Sequence, residues 1–223
     1  MRVSFWRQAV EIARKDLRTE VRSGEVVMIT VPFGAAALML VPLAVGTDAP
    51  LLSQIGPGIY WSVVMLFGVL VTVRQSAIDA PSQRDLLGLL GVDAAARFVG
   101  RAGASALLLL LFEAVLAPVA LALYGTDPSG WWWLLVVLPL VAVGLGLLGT
   151  LASSIASSIA SSTLVPLIVV PLAVPMLLAA TQITEGLRID ATILGWLLLL
   201  VVMDLLLAVA GVLSARPLQE TTR

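Results

Sequence analysis

Six long apolar runs limit this chain more than anything else in its sequence. A backbone N–H or C=O left unpaired in hydrocarbon costs several kcal/mol, so an apolar run of about 20 residues long enough to cross a bilayer is read as a helix. The runs fall at Val26 to Val45, Gly58 to Val73, Ala104 to Tyr124, Trp131 to Leu151, Leu164 to Gln182 and Thr192 to Leu213. The second is the shortest and has room to extend backward through Ile55. With 60% hydrophobic and 12% charged residues and a mean hydropathy of +1.05, lipid rather than water is the solvent. No polar stretch is long enough to enclose a core of its own, so residues 1–223 are read as a single transmembrane domain of an all-α membrane protein with six transmembrane helices.

The net charge of −1 gives no overall bias toward nucleic acid or other polyanions, and the information lies in where the charges fall. Arg2, Arg7, Arg14, Lys15, Arg18 and Arg22 precede the first span; Arg74, Arg84, Arg97 and Arg101 lie between the second and third; Arg216 and Arg223 follow the last. The other side keeps Arg188 among Asp48, Asp127, Glu185 and Asp190. Because cytoplasmic loops hold the excess of Lys and Arg, this pattern places both termini in the cytoplasm. Trp131, Trp132 and Trp133 then sit where an outer aromatic belt belongs. The first twenty residues are charged throughout and lack an apolar h-region, so no cleavable signal peptide is expected.

Two segments outside the spans have their own patterning. In residues 4–22, Phe5, Trp6, Ala9, Val10, Ala13, Leu17 and Val21 share one helical stripe, while Arg7, Glu11, Arg14, Lys15, Arg18 and Arg22 occupy the other face. This predicts an amphipathic helix lying in the inner headgroup region; the alternative is a solvated helix packed on a partner. The connection from Arg74 to Arg101 contains Ser82 and Asp85 as a capping box before Leu86-Leu87-Gly88-Leu89-Leu90, and Asp93 as the cap of a second helix that starts at Ala94 and runs into the third span. A short cytoplasmic helix there would give a soluble partner a docking surface.

Several patterns within the spans invite a chemical reading. Gly144-Leu145-Gly146-Leu147-Leu148-Gly149 matches G-x-G-x-x-G without the strand and βαβ context of a dinucleotide site, so close helix packing explains it better. No G-x-x-x-x-G-K-[ST] loop occurs, and any ATP is therefore bound by another chain. The chain has neither Cys nor His, which excludes disulfides, thiolate nucleophiles, triads with a histidine base, and the usual zinc and haem ligands. No metal site and no catalytic constellation emerge. Small residues recur every four positions from Leu151 to Ser162, as a helix contact or a cytoplasmic hinge. Pro166, Pro171 and Pro175 in the fifth span and Pro118 in the third invite kinks, and Pro32, Pro42 and Pro139 extend the pattern. Glu113 and Asp204 are carboxylates at membrane depth, where an acid is neutral, paired or facing a wet cavity; a helix contact and a proton relay both fit.

The order of these features resembles the cytochrome c maturation protein B family, the haem exporter permeases of bacterial inner membranes. The resemblance rests on Phe5-Trp6-Arg7 leading the amphipathic helix and on Gly56-Pro57-Gly58-Ile59-Tyr60-Trp61 opening the second span. It continues through Glu113 with Ala117-Pro118, Leu145-Gly146-Leu147-Leu148-Gly149 and Val170-Pro171-Leu172-Ala173-Val174-Pro175-Met176. It implies a multi-pass permease domain of the ABC-2-like type in the bacterial cytoplasmic membrane, working as a pair of copies with a separate ATP-binding cassette ATPase. Other cytochrome c maturation subunits and a haem chaperone are the further partners implied, with ATP turnover releasing the haem-loaded chaperone. The family's coupling helix corresponds to residues 79–90, so Ser82, Arg84, Asp85, Leu86 and Leu87 become the ATPase-coupling residues. Here the family's Gly-x-Leu-Glu-x-Leu run closed by proline is replaced by Pro81-Ser82-Gln83-Arg84-Asp85-Leu86, closed by Gly91. Arg84 replaces an acid, which leaves Asp85 to compensate.

Without His or Cys this chain offers no strong axial ligand for haem, so it is expected to bind no cofactor itself and to act mechanically, with ATP on a partner and haem handled by the complex. Two other readings stay open: a permease of the same architecture for a lipid, drug or polysaccharide, and a non-transporting scaffold that organises other membrane subunits. An enzyme acting alone is not supported.

Overall fold

A computed structural model describes residues 4–24, 26–46, 48–78, 92–125, 131–158 and 164–215, and among these it contains seven α-helices and no strand. They are α1 (Phe5–Ser23), α2 (Val31–Val45), α3 (Ala49–Ile78), α4 (Ala94–Tyr124), α5 (Leu134–Ser158), α6 (Leu164–Arg188) and α7 (Leu194–Ala215). A π-helical turn, Val26–Thr30, leads into α2, and a 3-10 turn, Trp131–Trp133, leads into α5. Six segments, the one from Met28 to Val45 and the bodies of α3 to α7, are long and apolar enough to cross a membrane. The chain is a multi-pass membrane protein.

The helix ends follow from local chemistry, and some lie outside the hydropathy boundaries. α3 starts at Ala49 rather than near Gly58, because Asp48 accepts the Leu51 amide on Oδ1 (3.3 Å) and Pro50 falls in the first turn, where no N–H is needed. Pro57 therefore lies inside the helix instead of opening it. Asp93 caps α4 as expected, its Oδ1 accepting from Ala95 N at 2.8 Å, and the helix runs unbroken for 31 residues. At about 1.5 Å per residue this is roughly 46 Å, against a hydrocarbon core of about 30 Å. Gly24 ends α1 in the left-handed region (φ 64°), its N–H donating to Glu20 O, and turns the chain into the first span.

α5 is the centre of the bundle, in contact with α3, α4, α6 and α7. Its glycines make this possible. A Cβ on Gly146 would meet Ala102 O of α4 at 2.8 Å, one on Gly149 would strike Thr72 of α3, and one on Gly144 would collide with Met176 of α6 and Asp204 of α7. The G-x-G-x-x-G run is thus a packing device that faces three directions. α2 lies outside, against α3 and α4, with Gly34 seated on Phe112 and Leu116. The buried rings of Phe67 and Phe112, centroids 4.8 Å apart, join α3 to α4 beneath it.

The structure divides the apolar stripe of α1. Ala9 is buried against α4, where a Cβ on Gly100 would press on the Ala9 carbonyl, whereas Trp6, Val10 and Val21 remain exposed. Among the described residues, this helix makes its main contact with the start of α4.

Candidate functional site

Two regions concentrate polar chemistry, at opposite ends of α4. At its C-terminal end, Pro42 removes the N–H that would reach Leu38 O inside α2, and the Tyr124 hydroxyl donates to that carbonyl at 2.9 Å. A Cβ on Gly56 would meet the Tyr124 side chain at 2.8 Å, so α3 approaches α4 closely here. The Tyr60 hydroxyl donates to Glu113 O at 2.9 Å, one turn before Pro118 interrupts the α4 ladder. Trp61 Nε1–H donates to Thr184 Oγ1 (2.9 Å), and Thr184 in turn donates to Ala180 O (2.7 Å), tying α3 to α6.

These groups wall a cavity of about 50 Å³ between α3, α4, α5 and α6, lined among others by Pro57, Tyr60, Trp61, Ala117, Tyr124 and Thr184. Each hydroxyl at its edge, and the indole N–H, donates to protein rather than to the space, and the lining is almost wholly apolar. Such a cavity offers a water too few partners and suits an apolar or aromatic group. The Gly56 to Trp61 run supplies much of this wall. Tyr124 and Thr184 went unnoticed in the sequence, where a tyrosine and a threonine near span ends carry no distinctive signal.

The two intramembrane acids lie at separate helix contacts. Glu113 of α4 is fully buried and Asp204 of α7 is 8% exposed. Among the described residues neither carboxyl has a hydrogen-bond partner. Glu113 lies roughly 17 Å along the helix from both Arg101 and Tyr124, which places it midway through the apolar part of α4. Asp204 fits against α5 only because Gly144 has no side chain. Of the kink-forming prolines, Pro118 is inside α4 and Pro171 and Pro175 are inside α6. Pro166 falls in the first described turn of α6.

At the N-terminal end of α4, α1 meets it in three places. Gln8 Oε1 accepts from Asp93 N at 2.9 Å, Ala9 packs on Gly100, and Asp16 faces Arg101. Burial pushes the Asp16 carboxyl above its ordinary value, and Arg101 and Lys15 pull it back. Ser82, Arg84, Asp85, Leu86 and Leu87 lie outside the described residues, but the helices that bracket them, α3 and α4, are the two joined by the Tyr60 bond to Glu113 O. Among the described residues no group of three or more His, Cys, Asp or Glu could hold a metal ion.

The CcmB protein family profile matches residues 7–218. "Heme exporter protein B" of Haemophilus influenzae is 28% identical over 150 residues, covering 65% of this chain and 66% of that protein. "Heme exporter protein B" of Bradyrhizobium diazoefficiens is 37% identical over 68 residues, 30% of this chain and 31% of that protein. The chain thus spans just under two thirds of the first relative's length and under one third of the second's. Since the family profile runs from within α1 to beyond α7, through all six candidate spans, this chain belongs to the CcmB family.

Proposed function

We propose that this chain is the permease subunit of an ATP-driven complex for haem export and cytochrome c maturation in the bacterial cytoplasmic membrane. The observation that carries the reading is the family match over residues 7–218, which spans the whole six-helix bundle. Both termini face the cytoplasm, so α1, the 79–90 coupling helix and the start of α4 lie on the ATP side, and the Tyr124 cavity faces outward. The partners are a separate ATP-binding cassette ATPase, a second copy of this chain, other maturation subunits and a haem chaperone.

In this reading residues 1–223 are one permease domain that moves as packed units. ATP-driven closure of the ATPase pushes the coupling helix through Ser82, Arg84, Asp85, Leu86 and Leu87. The push enters α3 and α4 together. It travels along both, because Phe67 and Phe112 and the Tyr60 hydroxyl hold them in step, and it reaches the end of the bundle where Pro57 and Pro118 loosen the helices. In this reading the chain, which has neither His nor Cys, offers no strong axial ligand for haem, and haem is held elsewhere in the complex.

The test is complementation. In a bacterium deleted for its own permease of this family, expression of this chain with its cognate ATPase restores haem-staining c-type cytochromes. Normal membrane levels of the complex with no cytochrome maturation would refute the proposal and favour another exported substrate.

A further inference from the structure

The surface of α1 turned away from α4 has two distinct parts. Trp6, Val10 and Val21 are 68%, 60% and 79% exposed, with half-buried Leu17 between them, on a strip about 60° wide at 100° per residue. On one side of the strip stand Arg7, Arg14, Lys15, Arg18 and Arg22, all exposed, with Glu11 the single acid among them, and half-buried Glu20 lies past its other edge. The third face, Gln8, Ala9, Ile12 and Asp16, is the one held by α4. Past Gly24, the chain reaches Met28 and Ile29, exposed apolar residues at the foot of the first candidate span. The strip on α1 ends a few residues before that foot.

An apolar strip with five cations along one side, continuous along the chain with a candidate membrane span, matches one occupant in both charge and polarity: the interface of a bilayer carrying anionic headgroups. We propose that α1 is an anionic-lipid latch on α4. Its strip enters the headgroup boundary, its arginines bind lipid phosphates, and its third face transmits the seating to Asp93 through the Gln8 hydrogen bond. Asp93 is where the chain returns from the 79–91 connection and caps α4, so lipid charge sets how firmly that return point is held. The inference rests on α1 lying at the membrane surface and needs nothing from the haem reading.

The absence of cysteine makes the test direct. Val10→Cys, carrying a nitroxide, is placed with the intact chain in phosphatidylcholine vesicles with and without phosphatidylglycerol, and collision with oxygen and with a water-soluble nickel chelate is compared. Thr19→Cys, exposed and off the strip, is the water-facing reference. The expected result is a severalfold drop in nickel collision at Val10 when anionic lipid is added. High salt, or changing Arg7, Arg14, Arg18 and Arg22 to Gln, weakens that drop, and the Asp93 and Ala95 amides exchange severalfold more slowly in anionic vesicles. Equal shielding in both lipids would overturn the charge requirement. Equal water exposure in both would overturn lipid as the occupant and leave an acidic protein surface in its place. Immersion without a change in amide exchange would overturn the latch. Cytochrome maturation is a separate measurement, so failure here and failure of the proposed function are told apart.

Discussion

Tyr124 and Pro42 lie far apart in sequence, yet they meet at one carbonyl, that of Leu38. Removing the hydroxyl with Tyr124→Phe leaves that carbonyl without either partner, and the expected loss is about 0.6 to 1.7 kcal/mol, the range for interhelical hydrogen bonds in membranes. Adding Pro42→Ala returns the backbone donor and recovers much of the loss in a thermal-melt double-mutant cycle. The glycines give a sharper pair. Gly146→Ala drives a methyl into Ala102 O and costs about 1 to 3 kcal/mol, whereas Gly58→Ala, with nothing within 4 Å, is neutral or slightly stabilising. Glu113→Gln keeps the volume of the side chain in a site that supplies no ion-pair partner, so it melts like the parent, while Glu113→Lys costs about 3 kcal/mol or more. Loss of cytochrome maturation in the folded Gln variant would assign a proton-carrying role to the acid.

Among elements, α1 and α4 show what a linear sequence conceals. The amphipathic pattern of α1 and the Asp93 cap were legible, because periodicity and a capping residue before an apolar run are local signals. The docking of one on the other was not, since Ala9, Ile12 and Gly100 are small or ordinary residues whose value lies only in close approach. The apolar run alone starts the second span near Gly58, with room to extend backward through Ile55, and the run holding Pro57 stood at its opening. The structure tolerates Pro57 within the helix, as membrane helices with packed neighbours do. Asp16 adds a pH dependence to the α1 contact. Its carboxyl takes a proton more readily when docked, so its contribution is complete below the ordinary carboxylate range, near pH 4, and is lost as pH rises through the raised value. A spin label at Thr19→Cys becomes more mobile over that rise, and Asp16→Asn abolishes the trend.

Over the whole molecule, the six spans were legible from hydropathy because the bilayer imposes both their length and their helicity. The candidate site was legible only in part. Gly56 to Trp61 stood out as an unusual run, but the cavity needs Tyr124 and Thr184 from helices distant in sequence, and no local pattern links them. Single cysteines in this cysteine-free chain test the topology. Asp48→Cys and Asp190→Cys react with an impermeant maleimide from outside intact cells, and Thr19→Cys reacts only after permeabilisation. The reverse pattern would invert the orientation. The central place of α5 also bears on biogenesis. Its glycine faces receive α3 and α4, which are made before it, and α6 and α7, which are made after it. A ribosome that stops before α7 leaves Gly144 covered by Met176 of α6 but not by Asp204. Chains truncated before the last helix are therefore expected to be the ones that membrane proteases remove.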